Sequence, residues 1–311
     1  MSTASQPTAT PRTGVATLAR DYAELTKMRV TTLIVMTAWC GYYFGALKSG
    51  VSSVSWGLFH ALLGIAMVSG GTAALNEVLE RDTDGQMRRT AQRPLPAGRL
   101  SVLHGSVIGV LLVLGGAFYL GVALNPLTGL LTLATSLVYL AAYTPLKKVH
   151  PVCTFVGAFP GAMPGVLGWT AARGQLEWEA LVMFAIVFFW QFPHFFSIAW
   201  LYQEDYANGG IRMLPVVETD GRSTVRQILF YSVGLIPVTL LPTLLGFSGR
   251  VYFVSALVLG LALLYFGARL ALLRLPVKAA RSRQRARHLL QATVFYLPLL
   301  FAVMMLNKVS S

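Results

Sequence analysis

Three side chains bearing oxygen donors, Asn76, Glu80 and Asp84, recur every fourth residue at the end of an apolar run that begins at Ala61. On an α-helix they fall within about 80° of one another and are spaced about 6 Å apart along the axis. Glu77 shares that sector, whereas Asp82 points away from it. Carboxylates lined up at a membrane boundary are costly unless a cation or a function holds them there. The segment continues through Arg88, Arg89 and Arg93 to Pro94. Hard oxygen donors followed by arginines suit one chemistry well: Mg²⁺ on the carboxylates, an anionic phosphate on the metal, and guanidinium groups on the remaining phosphate charge.

A second group of candidates closes the sixth apolar stretch, where Trp190, Gln191, Pro193 and His194 precede Glu204 and Asp205. If one helix runs through both, Asp205 lies about 20° around from His194 and about 16 Å further along. That alignment, with a proline kink and a glutamine one turn earlier, gives His194 a substrate-facing reading. The alternative is a histidine satisfied by an interhelical hydrogen bond. The surrounding aromatic rings suit core packing or lipid contact, and equally a carbocation or a flat macrocycle. Tyr143 leads into Lys147 and Lys148, which read as snorkelling anchors or as partners for phosphate charge. Lys27 and Arg29 stand at the entry to the first apolar stretch and divide in the same way. Between Gly157 and Gly168 lie two prolines and four glycines, and these predict a bent helix lining a pocket, with tight helix packing as the alternative.

The elements that must carry these residues are membrane helices. The chain has 311 residues, 55% hydrophobic and 12% charged, which excludes an ordinary soluble globule. Nine apolar stretches, at 30–47, 56–79, 102–124, 127–144, 152–171, 178–201, 227–247, 251–272 and 288–307, are each long enough to span hydrocarbon about 30 Å thick. Unpaired backbone cannot sit in lipid, so the predicted fold class is all-α, a bundle of nine transmembrane helices. The net charge of +13 does not point to nucleic acid, because 21 of the 25 basic residues fall in the segments that an inside N-terminus would make cytoplasmic. The positive-inside bias therefore predicts N-in and C-out, with the basic excess facing anionic lipid. Eight of the twelve acidic residues gather in or beside the loops after the second and sixth stretches, which marks that face as the active one. Cys40 and Cys153 stand alone in apolar segments and read as small buried hydrophobes. Residues 1–20 read as a disordered cytoplasmic tail preceding a single membrane domain over 21–311.

Taken in order, these segments resemble the protoheme IX farnesyltransferase (haem O synthase) family of the intramembrane aromatic prenyltransferase superfamily. The resemblance rests on the Asp21-to-Val30 entry, the Asn76-to-Pro94 motif, Tyr143 to Lys148, the Gly/Pro-rich stretch ending in Gly168-Trp169, Trp190 to Phe195, Asp205-Tyr206, and Met213 to Val217. It is dense from Asp21 to Val217 and thins to topology beyond. The acidic row alone would indicate only the superfamily; the Trp-Gln-x-Pro-His-Phe run and the Met87-to-Pro94 run narrow it to the haem branch. Met28 stands where the family commonly has proline, and Glu80 where relatives often have aspartate; neither removes a chemical group the site needs.

The resemblance implies transfer of a farnesyl group from farnesyl diphosphate to a vinyl group of haem B, the substrate, giving haem O. It implies Mg²⁺, with Mn²⁺ as a substitute, on Asn76, Glu80, Asp84 and Asp205. Arg88, Arg89, Arg93 and Lys148 would hold the diphosphate, and His194, Gln191, Trp190 and Tyr143 the haem acceptor. The implied setting is the bacterial inner membrane with a cytoplasmic active face, and a haem A synthase or terminal oxidase assembly factor as the downstream partner. A prenyltransferase acting on a quinone precursor is the nearest rival. A transporter with intramembrane carboxylates is the rival from another class, disfavoured because acids and arginines cluster on one face and no internal repeat appears. A haem-binding membrane subunit without catalysis would not need the acidic row.

Overall fold

The protein is described by a computed structural model over residues 14–309. Helix α1 (Val15–Leu25) precedes a sharp turn at Lys27, and α2 (Met28–Lys48) and α3 (Trp56–Gly85) follow. Next come α4 (Val102–Ala123) and α5 (Pro126–Leu137), which runs through a π-helical turn (Val138–Tyr143) into the short α6 (Thr144–Leu146). After α7 (Cys153–Arg173) and α8 (Trp178–Leu201) lie two short helices, α9 (Gln203–Asn208) and α10 (Leu214–Val217). Three long helices complete the chain, α11 (Arg222–Leu244), α12 (Arg250–Ala271) and α13 (Ala280–Leu306). Among the described residues the only β pairing is an isolated bridge between Ser248 and Lys308.

Each expected apolar stretch corresponds to one long helix or, for the fourth, to the α5–π–α6 run. Eight of these are long and apolar enough to cross a membrane. The ninth, α7, has the length but a sequence diluted by glycine, proline and threonine, and most of its residues are buried among other helices. A central helix needs small side chains for close approach more than it needs lipid solubility. Around the bundle, α2 packs on α3, α3 on α4, α4 on α5, α5 on α7, α7 on α8, α8 on α11, α11 on α12 and α12 on α13. Contact of α13 with α2 closes the ring, and α2·α7 and α8·α13 pack across it.

The breakers in α7 do not interrupt it. The helix runs unbroken through Pro160 and Pro164. Its glycines serve approach: a Cβ at Gly41 would strike the Gly165 carbonyl, and one at Gly168 would strike that of Ala38. The backbones of α2 and α7 therefore touch, which holds the prolines in a helix that lipid alone would not support.

Two further expectations change. The expected tail lies outside the described residues at 1–13, but residues 15–20 are the first turns of α1. The assumption of one helix from His194 to Asp205 fails at Tyr202, where the backbone leaves helical geometry (φ −108°, ψ 27°) and α9 begins afresh. Side-chain serines and an asparagine start three of the membrane helices: Ser55 accepts from Leu58 N, Ser101 from His104 N, and Asn125 from Thr128 N beside Pro126.

Candidate active site

Helix α3 carries the acidic row on its buried face. Asn76, Glu77, Glu80 and Asp84 are all buried, whereas the Asp82 side chain is 81% exposed and pairs with Arg81. The helical spacing separates them as expected: the row faces inward and Asp82 faces out. Burial of three carboxylates demands compensation, and the structure supplies it from three elements.

Lys27 Nζ donates to Asn76 Oδ1 at 2.6 Å, Lys147 Nζ to Glu80 Oε1 at 2.7 Å, and Arg93 Nη1 to Asp84 Oδ2 at 2.6 Å. Glu77 Oε1 accepts the backbone N–H of Leu95 at 3.1 Å, while its second oxygen is buried without a partner among the described residues. Asn76 Nδ2 also donates to Thr144 Oγ1 at 3.2 Å, tying the row to α6. Charges of opposite sign thus alternate in one buried cluster at the end of α3.

Lys27 reaches this cluster because its own backbone is left-handed (φ 47°, ψ 50°), a conformation costly for a lysine. The turn aims its side chain inward from the α1–α2 junction. Burial, aided by the neighbouring charges of Arg93 and Lys147, lowers the pKa of its ammonium to about 7. An anion entering the site would restore its full charge.

Below the row lies a cavity of about 140 Å³ between α2, α3, the α5–π segment and α7. Lys27 lines its mouth; Ile34, Ile65 and Leu167 line its depth, and Pro160, Gly161 and Pro164 of α7 form one wall. On α3 the lining runs from Ile65 to Ala73, about 12 Å of helix. The Gly/Pro-rich stretch does line a pocket, as part of a continuous helix.

Asn76, Glu80, Asp84 and Arg93 come together as expected. The other candidates do not. Lys148 is exposed, and its neighbour Lys147 is the lysine in the row. Arg88 is exposed; Arg89 stacks its guanidinium over Tyr202, just ahead of α9, and Tyr206 of α9, at 5.2 and 5.7 Å from the ring centroids. Asp205 is half-buried on α9 and shares no ion pair or side-chain hydrogen bond with the row among the described residues. Tyr143 lies under Lys147, whose Nζ is 4.5 Å from the ring centroid, and it packs on Gly157. Tyr139, one π turn earlier, lines the cavity in its place.

The acceptor group is corrected most. His194 Nδ1 is hydrogen-bonded to Thr293 Oγ1 at 2.9 Å, and its ring stacks on Trp190 at 4.8 Å. Trp190 Nε1 donates to Thr293 O at 2.9 Å. Both residues therefore face α13, away from the cavity and the row. Gln191 faces the other way, donating from Nε2 to Ala158 O at 3.1 Å and packing against Gly161. The satisfied interhelical histidine is the reading the structure supports.

Among the described residues no three His, Cys, Asp or Glu side chains are gathered to hold a metal. The donor chemistry of the row nonetheless fits a hard divalent cation, since Asn76, Glu80 and Asp84 present only oxygens toward one buried space. An incoming cation–anion pair can be accommodated without net charge change: the cation takes the carboxylates, and the displaced lysines and arginine turn to the anion. Lys27 and Lys147, each readable from sequence as an anchor or a phosphate partner, lie at the row and bond its members directly. Lys27 was visible as a basic residue at a helix entry, but nothing in its spacing signalled the left-handed turn that directs it.

A model of the UbiA prenyltransferase family matches residues 34–306. The protoheme IX farnesyltransferase of Koribacter versatilis is 64% identical over 308 residues, covering 99% of each chain. That of Solibacter usitatus is 48% identical over 302 residues, covering 93% of this chain and 99% of its own. Among solved structures, a digeranylgeranylglyceryl phosphate synthase superposes with a TM-score of 0.74 at 14% identity, over 93% of this chain and 98% of its own. A UbiA homologue from Archaeoglobus fulgidus bound to GPP and Mg²⁺ superposes with a TM-score of 0.59 at 17% identity, over 91% of this chain and 99% of its own. At these identities the structural likeness speaks for the fold alone.

Proposed function

The chain belongs to the UbiA prenyltransferase family, and from that premise we propose that it transfers a farnesyl group from farnesyl diphosphate to a vinyl carbon of haem B, forming haem O. The observation that carries the reading is the double position of Lys27, which lines the cavity and bonds Asn76 of the acidic row. One side chain joins a space suited to an isoprenoid to a cluster suited to a diphosphate.

Asn76, Glu80 and Asp84 would hold Mg²⁺, or Mn²⁺ in its place, and the bound metal supplies Lewis-acid withdrawal of charge from the departing oxygen. Lys27, Lys147 and Arg93, released from Asn76, Glu80 and Asp84, stabilise the pyrophosphate as it leaves. Arg88 and Arg89 at the rim, with Asp205 on α9, complete the enclosure from the loops. The cavity positions the prenyl chain and limits access of bulk water to the allylic cation. The terminal vinyl carbon attacks, and water completes the hydroxyalkyl product.

The basic-residue bias supports an orientation with the N-terminus inside, the C-terminus outside and the row at the cytoplasmic face of a bacterial inner membrane. Reporter fusions after Val149 and Glu218 should read cytoplasmic, and fusions near Asn125 and Gly174 external; Gly174 and Glu218 on one side would refute it. A haem A synthase or terminal oxidase assembly factor is the expected recipient of the product. Membranes holding the protein, given haem B, farnesyl diphosphate and Mg²⁺, should yield a more hydrophobic haem on chromatography. A prenylated quinone precursor in place of that haem would overturn the acceptor assignment.

A further inference from the structure

We propose that a band of hydroxyl groups in the cavity, centred on Ser136 and Thr72, holds and orients the water that completes the reaction. The inference rests on the function proposed above. Seven lining residues carry hydroxyls: Tyr139, beside Lys147, and the six that form the band, Thr31, Ser69, Thr72, Thr132, Thr135 and Ser136. An isoprenoid needs none of them.

The protons of the band are already committed. Thr72 Oγ1 donates to Val68 O at 2.7 Å, Thr132 to Thr128 O at 2.7 Å, Thr135 to Leu131 O at 2.7 Å, and Thr31 to Thr26 O at 2.9 Å. With the Thr72 proton spent, the 2.7 Å contact between Thr72 and Ser136 must be donated by Ser136. The same reasoning makes Ser69 the donor to Thr31 across 3.4 Å. What these oxygens offer the cavity is lone pairs. A band that only accepts makes a water molecule bound to it give its protons to the band and turn its own lone pairs inward. That is the orientation in which water adds to a carbocation.

Position agrees with chemistry. Thr72 sits one helical turn, about 6 Å, below Asn76 on the same side of α3. A diphosphate on the row therefore places its C1 carbon near the level of the Thr72–Ser136 pair. When the C1–O bond breaks, pyrophosphate keeps the electron pair. The terminal vinyl carbon bonds C1, leaving positive charge on the adjacent haem side-chain carbon. Water adds there through its oxygen, and its proton passes to pyrophosphate. Without a positioned water, the same cation loses a proton from a neighbouring carbon and gives an alkene lighter by one water.

The test compares Ser136→Ala and Thr72→Val with wild type, and with Thr72→Ser as the variant that keeps the hydroxyl. Membranes are supplied with haem B, farnesyl diphosphate and Mg²⁺, and the farnesylated haems are resolved by chromatography with mass detection. The ratio of alkene to alcohol does not depend on how much enzyme is folded. It should rise roughly tenfold in both variants, the factor that follows from losing about one hydrogen bond at the transition state. Thr72→Ser should stay close to wild type. Slower farnesylation with an unchanged ratio would overturn the proposal and assign the hydroxyls to the allylic cation or to packing. Wild-type membranes that farnesylate no haem would instead overturn the proposed function itself, and the water site with it.

Discussion

Lys147 and Glu80 form a buried ion pair, Nζ to Oε1 at 2.7 Å, that joins the turn after α6 to the acidic face of α3. Both side chains are about nine-tenths buried. Removing one partner strands the other as an uncompensated buried charge, at a cost of about 3–5 kcal/mol. Lys147→Met should therefore lower the thermal unfolding midpoint of detergent-solubilised protein sharply and abolish turnover. The double variant Lys147→Met with Glu80→Leu should regain most of the stability and none of the activity. A double variant as unstable as the single would show that the pair holds the fold for some reason other than charge balance.

The two aspartates at the end of α3 should behave differently. Asp84 is 1% exposed and held by Arg93, whereas Asp82 stands in solvent. Asp84→Ala removes an oxygen donor and leaves Arg93 unpaired, so turnover should fall by at least ~10²-fold while the protein stays in the membrane. Asp82→Asn should keep activity within a few-fold of wild type. Equal damage at both positions, measured as farnesylated haem per unit of membrane protein, would mean that the whole loop binds substrate.

The helix period and the hydropathy pattern carry most of this arrangement in the sequence itself. The inward row and outward Asp82 follow from 3.6 residues per turn, and eight of the long spans follow from apolar length. The choice between Lys147 and Lys148 does not follow. The π-helical turn at Val138–Tyr143 takes an extra residue into the helix and rotates everything after it, so spacing counted from α5 cannot assign the following lysine. Likewise Lys27 depends on one left-handed residue, and Asp205 on a break at Tyr202; neither leaves a periodic signature. The unbroken α7 was hidden because breaker residues report local preference, while contact with α2 decides the outcome.

His194 is expected to be a structural residue. Its bond to Thr293 and its stacking on Trp190 satisfy it within the α8–α13 interface. His194→Ala should cost about 1 kcal/mol of stability, the net worth of one hydrogen bond, and leave turnover within a few-fold. Thr293→Val should do the same. If His194→Ala instead lost haem binding while Mg²⁺-dependent diphosphate binding persisted, the histidine would return to the acceptor site.

At the end of the bundle away from the row, Glu177 fastens three helices. Its carboxylate accepts from Arg173 Nε at 2.9 Å and from Trp169 Nε1 at 3.0 Å, both on α7, and it pairs with Lys48 of α2 at 3.0 Å, just ahead of α8. Hydrogen bonding from Arg173, reinforced by Lys48 and Trp169, holds its pKa down to about 2. A carboxylate with a lowered folded-state pKa adds stability that is complete above its unfolded value near 4.5 and is lost as pH falls toward 2. Glu177→Gln should thus lower the unfolding midpoint at pH 7 by at least roughly 2–4 °C, the shift that about 1 kcal/mol gives in a chain of this order of size. The gap to wild type should narrow steadily below pH 4.5. A gap that stayed constant from pH 7 down to pH 3 would locate the stabilisation in packing around Trp169 and not in the charge. Because the fastening lies on the opposite side of the cavity from the row, turnover at pH 7 and a temperature well below unfolding should be unchanged.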